Sequence, residues 1–72
     1  MDAGKIGKFI SERRRIINLT QNELAKKLHI TDKAVSKWER GLSLPDISVL
    51  IPLSEILDIS LYELLRGGKD YE

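Results

Sequence analysis

Apolar residues recur along this chain at the three- and four-residue spacing of helices, and short polar breaks interrupt the pattern. This arrangement predicts an all-α protein of five short helices that share one core. The predicted helices cover residues 5–18, 21–28, 32–40, 47–57 and 61–66. The fourth is almost entirely apolar, so we expect most of its surface to be buried. Pro52 within it predicts either a bend or a restart of the helix.

Hydroxyl residues mark the points where three of these helices are expected to begin. Thr20 with Glu23, and Ser60 with Glu63, have the spacing of capping boxes. In a capping box, the side chain of each residue accepts a hydrogen bond from the backbone amide of the other. Thr31 is placed to cap the third helix in the same way. These local signals set the helix starts independently of any tertiary contact.

Residues 20–41 carry the second and third helices with only three residues between them. So short a link is typical of a helix-turn-helix, a motif whose second helix can enter the major groove of DNA. Gly41 follows the third helix and suits a left-handed end. In that helix, positions 33, 36, 37 and 40 share one face, opposite Val35 and Trp38. We therefore expect an outward polar face and an inward apolar one.

The net charge of +1 conceals a division along the chain. Residues 1–41 carry ten Lys/Arg and five Asp/Glu, whereas residues 42–72 carry two Lys/Arg and six Asp/Glu. Positive charge is thus concentrated in the half that contains the helix-turn-helix, which favours a polyanionic partner at that end.

Several other classes of protein find no support in the sequence. There are no cysteines and a single histidine, His29, and no metal-binding cluster, phosphate loop or nucleophile elbow is present. We therefore predict no enzyme activity, no metal and no cofactor. No apolar run has the length of a membrane span, and residues 1–9 do not form a secretory signal, so a cytoplasmic location is expected.

Taken together, these segments resemble the helix-turn-helix family of phage repressors and Cro proteins. The similarity extends over residues 5–66 and is carried by LTQ at 19–21, ELA at 23–25, VSKWERG at 35–41, PD at 45–46 and SLYELL at 60–65. The resemblance implies a five-helix, lambda-repressor-like DNA-binding domain with a central helix-turn-helix at about residues 20–41. We expect one domain over residues 1–72, with a flexible tail at residues 67–72.

The resemblance also implies which side chains meet DNA. Four residues of the third helix would read base edges: Asp32, Lys33, Ser36 and Lys37. Phosphate contacts are expected from Gln21, Lys26, Lys27, Thr31 and Arg40, together with the arginines of the first helix. A structural ion pair between Arg14 and Glu39 is implied as well, and would tie the first helix to the third.

Two positions depart from the family pattern. His29 stands where the turn usually has glycine, and we expect it to hold a positive φ, which histidine tolerates better than most residues. Arg13 stands at a usually apolar position, so we expect its guanidinium to point outward while its stem covers the core edge.

The function expected on these grounds is sequence-specific binding of double-stranded DNA by a bacterial or phage transcriptional regulator, acting as a repressor. Residues 32–40 would read the major groove of a pseudo-palindromic operator, with a homodimer as the possible binding form. Two alternatives stay open on the sequence: a protein-interaction or antitoxin-type module on the same fold, and a stabilising domain of a larger regulator.

Overall fold

A computed structural model describes residues 1–69 and shows five α-helices. The helices are α1 (Ala3–Ile16), α2 (Gln21–Lys27), α3 (Asp32–Glu39), α4 (Ile47–Leu57) and α5 (Leu61–Arg66). No strand occurs within residues 1–69. The expected all-α, five-helix architecture is therefore confirmed.

Every helix begins at a side chain that caps it. The boxes of Thr20 with Glu23 and of Ser60 with Glu63 are both complete, with hydrogen bonds in each direction. Helix α1 begins two residues earlier than expected, because the Asp2 carboxylate accepts a hydrogen bond of 3.0 Å from the Lys5 amide. Local side-chain chemistry thus fixes where the elements start.

One hydrophobic core joins the helices. Its fully buried side chains come from every element and include Ile10, Leu24, Val35, Leu53, Leu57 and Leu64. Ile16 belongs to the apolar pattern of α1 but is 64% exposed. It lies at one edge of the apolar stripe and on the last turn of α1, whereas the opposite edge, at Arg14, is the one that the domain covers.

Helix α4 is less buried than its apolar composition predicts. Ile47 and Ile51, one turn apart, are 82% and 59% exposed, while Leu53 and Leu57 on the other side are completely buried. The helix runs without interruption through Pro52, so of the two predicted alternatives the restart is excluded. The apolar composition of α4 does not show which of its sides the other helices cover.

Helices α1 and α3 approach each other at backbone distance. A Cβ atom added at Gly7 would collide with the carbonyl oxygen of Trp38 and would lie 2.9 Å from its carbonyl carbon. Only glycine fits this crossing, because every other residue would place a side-chain atom inside the α3 backbone. The contact holds the C-terminal end of α3 directly against α1.

The chain after α5 stays close to that helix as far as it is described. Gly67 has the left-handed φ of 75°, and the amides of Gly67 and Gly68 both donate to the Glu63 carbonyl. Residues 70–72, the remainder of the predicted flexible tail, lie outside the described residues. Within residues 1–69, no helix combines the length and the apolar character needed to cross a membrane.

Candidate nucleic-acid interface

Helices α2 and α3 form the predicted helix-turn-helix. The turn is held by backbone hydrogen bonds from His29 to the Lys26 carbonyl and from Ile30 to the Ala25 carbonyl, at 3.1 and 3.0 Å. His29 has a φ of 58°, as expected for the residue in the usual glycine position. Thr31 then caps α3 by accepting from the Ala34 amide at 3.3 Å. The geometry of this turn fixes the direction in which α3 leaves α2.

Helix α3 divides into an inward and an outward side. Val35 is fully buried and Trp38 is 5% exposed, so these two side chains anchor the helix in the core. The side chains proposed for base reading lie on the helix around the opposite side, where all but the half-buried Ser36 are exposed: Asp32, Lys33, Ser36 and Lys37. The structure therefore brings these four residues together on one short polar surface, which we call the α3 face.

The residues expected at phosphates lie around this motif, and their side chains differ in how far they are engaged. Lys26 and Lys27 are exposed on the last turn of α2. Arg40 is exposed at the end of α3, and its Nε donates to the Ser36 carbonyl at 3.3 Å, which leaves the two Nη groups for other partners. The Thr31 hydroxyl accepts within the cap and keeps its hydrogen for donation.

Arg14 and Glu39 form a bidentate ion pair beneath the motif. Arg14 Nε lies 2.7 Å from Glu39 Oε2 and Arg14 Nη2 lies 2.9 Å from Glu39 Oε1. The two side chains are only 10% and 6% exposed. Arg14 Nη1 also donates to the Leu19 carbonyl at 2.8 Å, so the guanidinium joins α1, the α1–α2 link and the end of α3.

The charges of this pair stabilise each other. The hydrogen bond to Glu39 raises the pKa of Arg14 above its ordinary value. For Glu39, burial acts to raise the pKa, but the hydrogen bonds from Arg14 and Gln21 and the charge of Arg14 outweigh it, so the pKa is lowered. Glu39 is therefore held as a carboxylate although it lies close to the expected DNA surface.

Gln21 was expected to contact phosphate, and the structure shows a second engagement of its side chain. Its Nε2 donates to Glu39 Oε1 at 3.0 Å, so the same oxygen accepts from both Gln21 and Arg14. The sequence gave no signal for this bond, because the partners are 18 residues apart and lie on different helices.

The three arginines of α1, all expected to contact phosphates, differ in how far they are engaged within the protein. Arg13 donates from Nη2 to the Leu57 carbonyl at 3.1 Å and to the Asp58 carbonyl at 3.5 Å, which satisfies the C-terminal end of α4. Its guanidinium therefore turns to the protein rather than outward. Arg14 is buried in its ion pair, and only Arg15 of the three is exposed.

The site holds groups for hydrogen bonding and charge. Within residues 1–69, no three His, Cys, Asp or Glu side chains are placed to hold a metal ion. The α3 face offers lysine ammonium donors, a serine hydroxyl and a carboxylate acceptor, which are the groups that recognise base edges and phosphates.

Comparisons with known proteins agree with this geometry. Residues 10–64 match the model of the helix-turn-helix family. The HTH-type transcriptional regulator DicA of Escherichia coli strain K12 is 43% identical over 65 residues, covering 90% of this chain and 48% of that protein. The HTH-type transcriptional activator BcrR of Enterococcus faecalis is 40% identical over 50 residues, covering 69% of this chain and 24% of that protein.

A solved structure of similar fold contains DNA. The P22 c2 repressor in complex with a synthetic operator superposes with a TM-score of 0.82 and 34% identity, covering 86% of this chain and 94% of that one. The present chain spans between about a quarter and a half of the length of the first curated relatives it matches. The family match covers most of the chain and includes the whole motif, and the chain belongs to the helix-turn-helix family.

Proposed function

We propose that this chain is a sequence-specific module that binds double-stranded DNA for a bacterial or phage transcriptional regulator. The observation that carries the proposal is the division of α3: one side is anchored in the core, and the other presents exposed polar groups next to a cluster of exposed cations. The similar P22 repressor was solved with operator DNA, and DicA and BcrR are named as transcriptional regulators.

The proposed roles follow from position on the motif. Asp32, Lys33, Ser36 and Lys37 read base edges in the major groove, with the lysines directed to guanine O6 and N7 and Asp32 to cytosine N4. Phosphates are contacted by Gln21, Lys26, Lys27, Thr31 and Arg40, which fix the orientation of α3 without reading sequence. A half-site rich in G·C pairs is the expected target.

We further propose that two copies act together. The domain measures 30 × 23 × 20 Å, and one turn of B-DNA is about 34 Å long, so one copy covers a short half-site. A pseudo-palindromic operator with half-sites one turn apart would engage a homodimer. The protein would act in the cytoplasm, where the DNA of its host lies. Repression is favoured over activation by the similarity to the P22 repressor, although the relative BcrR is named an activator.

Selection of bound sequences from a random duplex library tests the function directly. Enrichment of a two-fold symmetric, G·C-containing site is expected. Placing that site over a reporter promoter should lower transcription if the module represses. Failure to enrich any sequence, combined with tight capture of one protein partner, would instead support the interaction or antitoxin-type module.

Substitutions then separate base readers from phosphate contacts. Lys33→Ala and Lys37→Ala should each relax discrimination at particular base pairs by about 1–3 kcal/mol. Arg40→Ala and Lys27→Ala, as matched controls, should weaken all duplexes by a similar factor because phosphates are present in every sequence. A uniform loss for Lys33→Ala, measured by titration of single-base variants, would assign that lysine to a phosphate.

A further inference from the structure

Glu39 occupies a place that simple electrostatics disfavours twice. It is the last residue of α3, where the helix dipole is negative, and it lies at the end of the helix proposed to enter the DNA groove. By charge alone, its removal would strengthen binding to a polyanion. The ion pair with Arg14 explains how the carboxylate is tolerated. The ion pair does not explain why Glu39 also accepts a hydrogen bond from Gln21.

The bond to Glu39 determines which way the Gln21 amide faces. A glutamine amide has two N–H donors and one carbonyl acceptor, arranged in a plane. With Nε2 directed to Glu39 Oε1 at 3.0 Å, one donor is committed and the second points away from the carboxylate. An amide turned by half a rotation would set its carbonyl oxygen against Glu39 Oε1, so the carboxylate excludes that orientation.

This orientation matters for the proposed role of Gln21. A phosphate oxygen requires a donor and would be repelled by a carbonyl oxygen in the same place. A side chain already held in the donating orientation loses less rotamer entropy on binding than a free one. The Arg14 guanidinium holds Glu39 from the opposite side with two hydrogen bonds, so the acceptor of the Gln21 bond is itself fixed.

We propose that Glu39 is a positioning residue for DNA binding: it orients the Gln21 amide so that the free N–H of Nε2 is presented to a backbone phosphate. The chain thus uses a buried carboxylate to improve contact with an anion. This inference rests on the proposed function, and it goes beyond the ion pair because the Glu39 carboxylate, and not the Arg14 guanidinium, is the group that Gln21 contacts directly.

A double-mutant cycle with a matched control tests the assignment. Glu39→Met removes the acceptor for Gln21 and breaks the ion pair. Arg14→Met breaks the same ion pair from the other side but leaves the Glu39 carboxylate in place. Gln21→Ala is combined with each. Binding to the selected duplex is measured well below the lowest melting temperature, with the folded fraction checked by circular dichroism.

The two backgrounds should respond differently. Gln21→Ala alone should weaken binding about tenfold, the usual scale for losing one hydrogen bond to a charged group. The same loss should persist in Arg14→Met and shrink to about twofold or less in Glu39→Met, because that background has already lost the orientation. Since the amide is neutral, Gln21→Ala should leave the slope of affinity against salt unchanged.

Outcomes against the proposal are equally definite. Equal losses for Gln21→Ala in both methionine backgrounds would reduce Glu39 to a structural residue. Tighter DNA binding by Glu39→Met would mean that the Glu39 carboxylate affects binding only by repelling the DNA. A wild-type protein that selects no duplex overturns the proposed function itself, which is a separate result.

A measurement on the free wild-type protein avoids the variants altogether. Nitrogen-15 relaxation of side-chain amides should show the Gln21 NH₂ group to be restrained. The exposed amide of Asn22, the next residue on α2, is the internal control and should be mobile. A Gln21 amide as mobile as that of Asn22 would overturn the positioning role, whether or not the methionine variants fold.

Discussion

Among residues 1–69, three residues other than glycine hold a left-handed backbone, and each lies in a junction between helices. Asn18, His29 and Asp58 have φ values of 59°, 58° and 56°. A residue with a Cβ atom in this region carries a cost of about 1–2 kcal/mol, which asparagine, aspartate and histidine bear better than most. The domain accepts this cost at three of its turns, and His29 lies within the helix-turn-helix.

His29→Gly should therefore stabilise the protein. Relief of the left-handed strain, less the added entropy of glycine in the unfolded chain, should raise the free energy of unfolding by about 0.5–1 kcal/mol. In a domain of this size the melting temperature should rise by several degrees. Lys26→Gly, an exposed position inside α2, is the control and should lower stability by about 1 kcal/mol. A melting temperature for His29→Gly below that of the wild type would mean that the imidazole contributes more than its backbone costs.

Individual residues were predictable from sequence to the extent that their partners are near in the chain. The caps at Thr20 and Ser60 have partners three residues away. The positive φ of His29 was predicted from the family resemblance. Arg13 was noticed as misplaced on an apolar side, yet its partners are 44 and 45 residues away. The orientation of such a side chain depends on tertiary geometry that local pattern does not contain.

The ion pair of Arg14 with Glu39 is a polar link between α1 and α3, and its contribution to stability should depend on pH. The pKa of folded Glu39 is lowered from its ordinary value of 4.5, so the unfolded chain binds the proton more readily. Stability from this group is accordingly complete above pH 4.5 and is lost as pH falls through the lower pKa of the folded state.

Glu39→Met should reveal that dependence by comparison with wild type. Near neutral pH the variant should be less stable by up to about 3–5 kcal/mol, because Arg14 is left buried without its partner. The difference should shrink as the pH falls from 4.5 towards the lower pKa of folded Glu39, because protonation then favours the unfolded wild type and finally removes the carboxylate charge in the folded state as well. Chemical denaturation at a series of pH values measures both quantities. A difference independent of pH would assign the loss to packing of the methionine.

Helices were easier to predict from sequence than the surfaces they bury. Periodicity and caps placed all five helices with ends correct to within two residues. The exposure of Ile47 and Ile51 was not foreseen, because an apolar helix does not show in its own sequence how many neighbours will cover it. The opposite sides of α3 were foreseen because polar and apolar residues separate cleanly along it.

Charge is distributed over the domain so that cations gather near the motif, and this should appear in the salt dependence of DNA binding. The cationic residues proposed at the interface would neutralise roughly three to five phosphates, which gives a log–log slope of about −3 to −5. Arg40→Ala should reduce the magnitude of the slope by about one. Lys5→Ala is the control and should not change it, because Lys5 lies beside Gly67 at the end of α5. Affinity that hardly varies between 50 mM and 200 mM salt would argue against phosphate contact.

The contact at Gly7 gives a rule for reading other sequences of this family. Because the backbones of α1 and α3 touch there, the depth at which α3 projects from the domain is set by a residue that no DNA-contact motif includes. A relative with alanine or a larger residue at the matching position must hold its third helix farther from the first. The roles proposed for residues of the α3 face therefore transfer by alignment to relatives that keep glycine at this position, whereas relatives without it require their own structures.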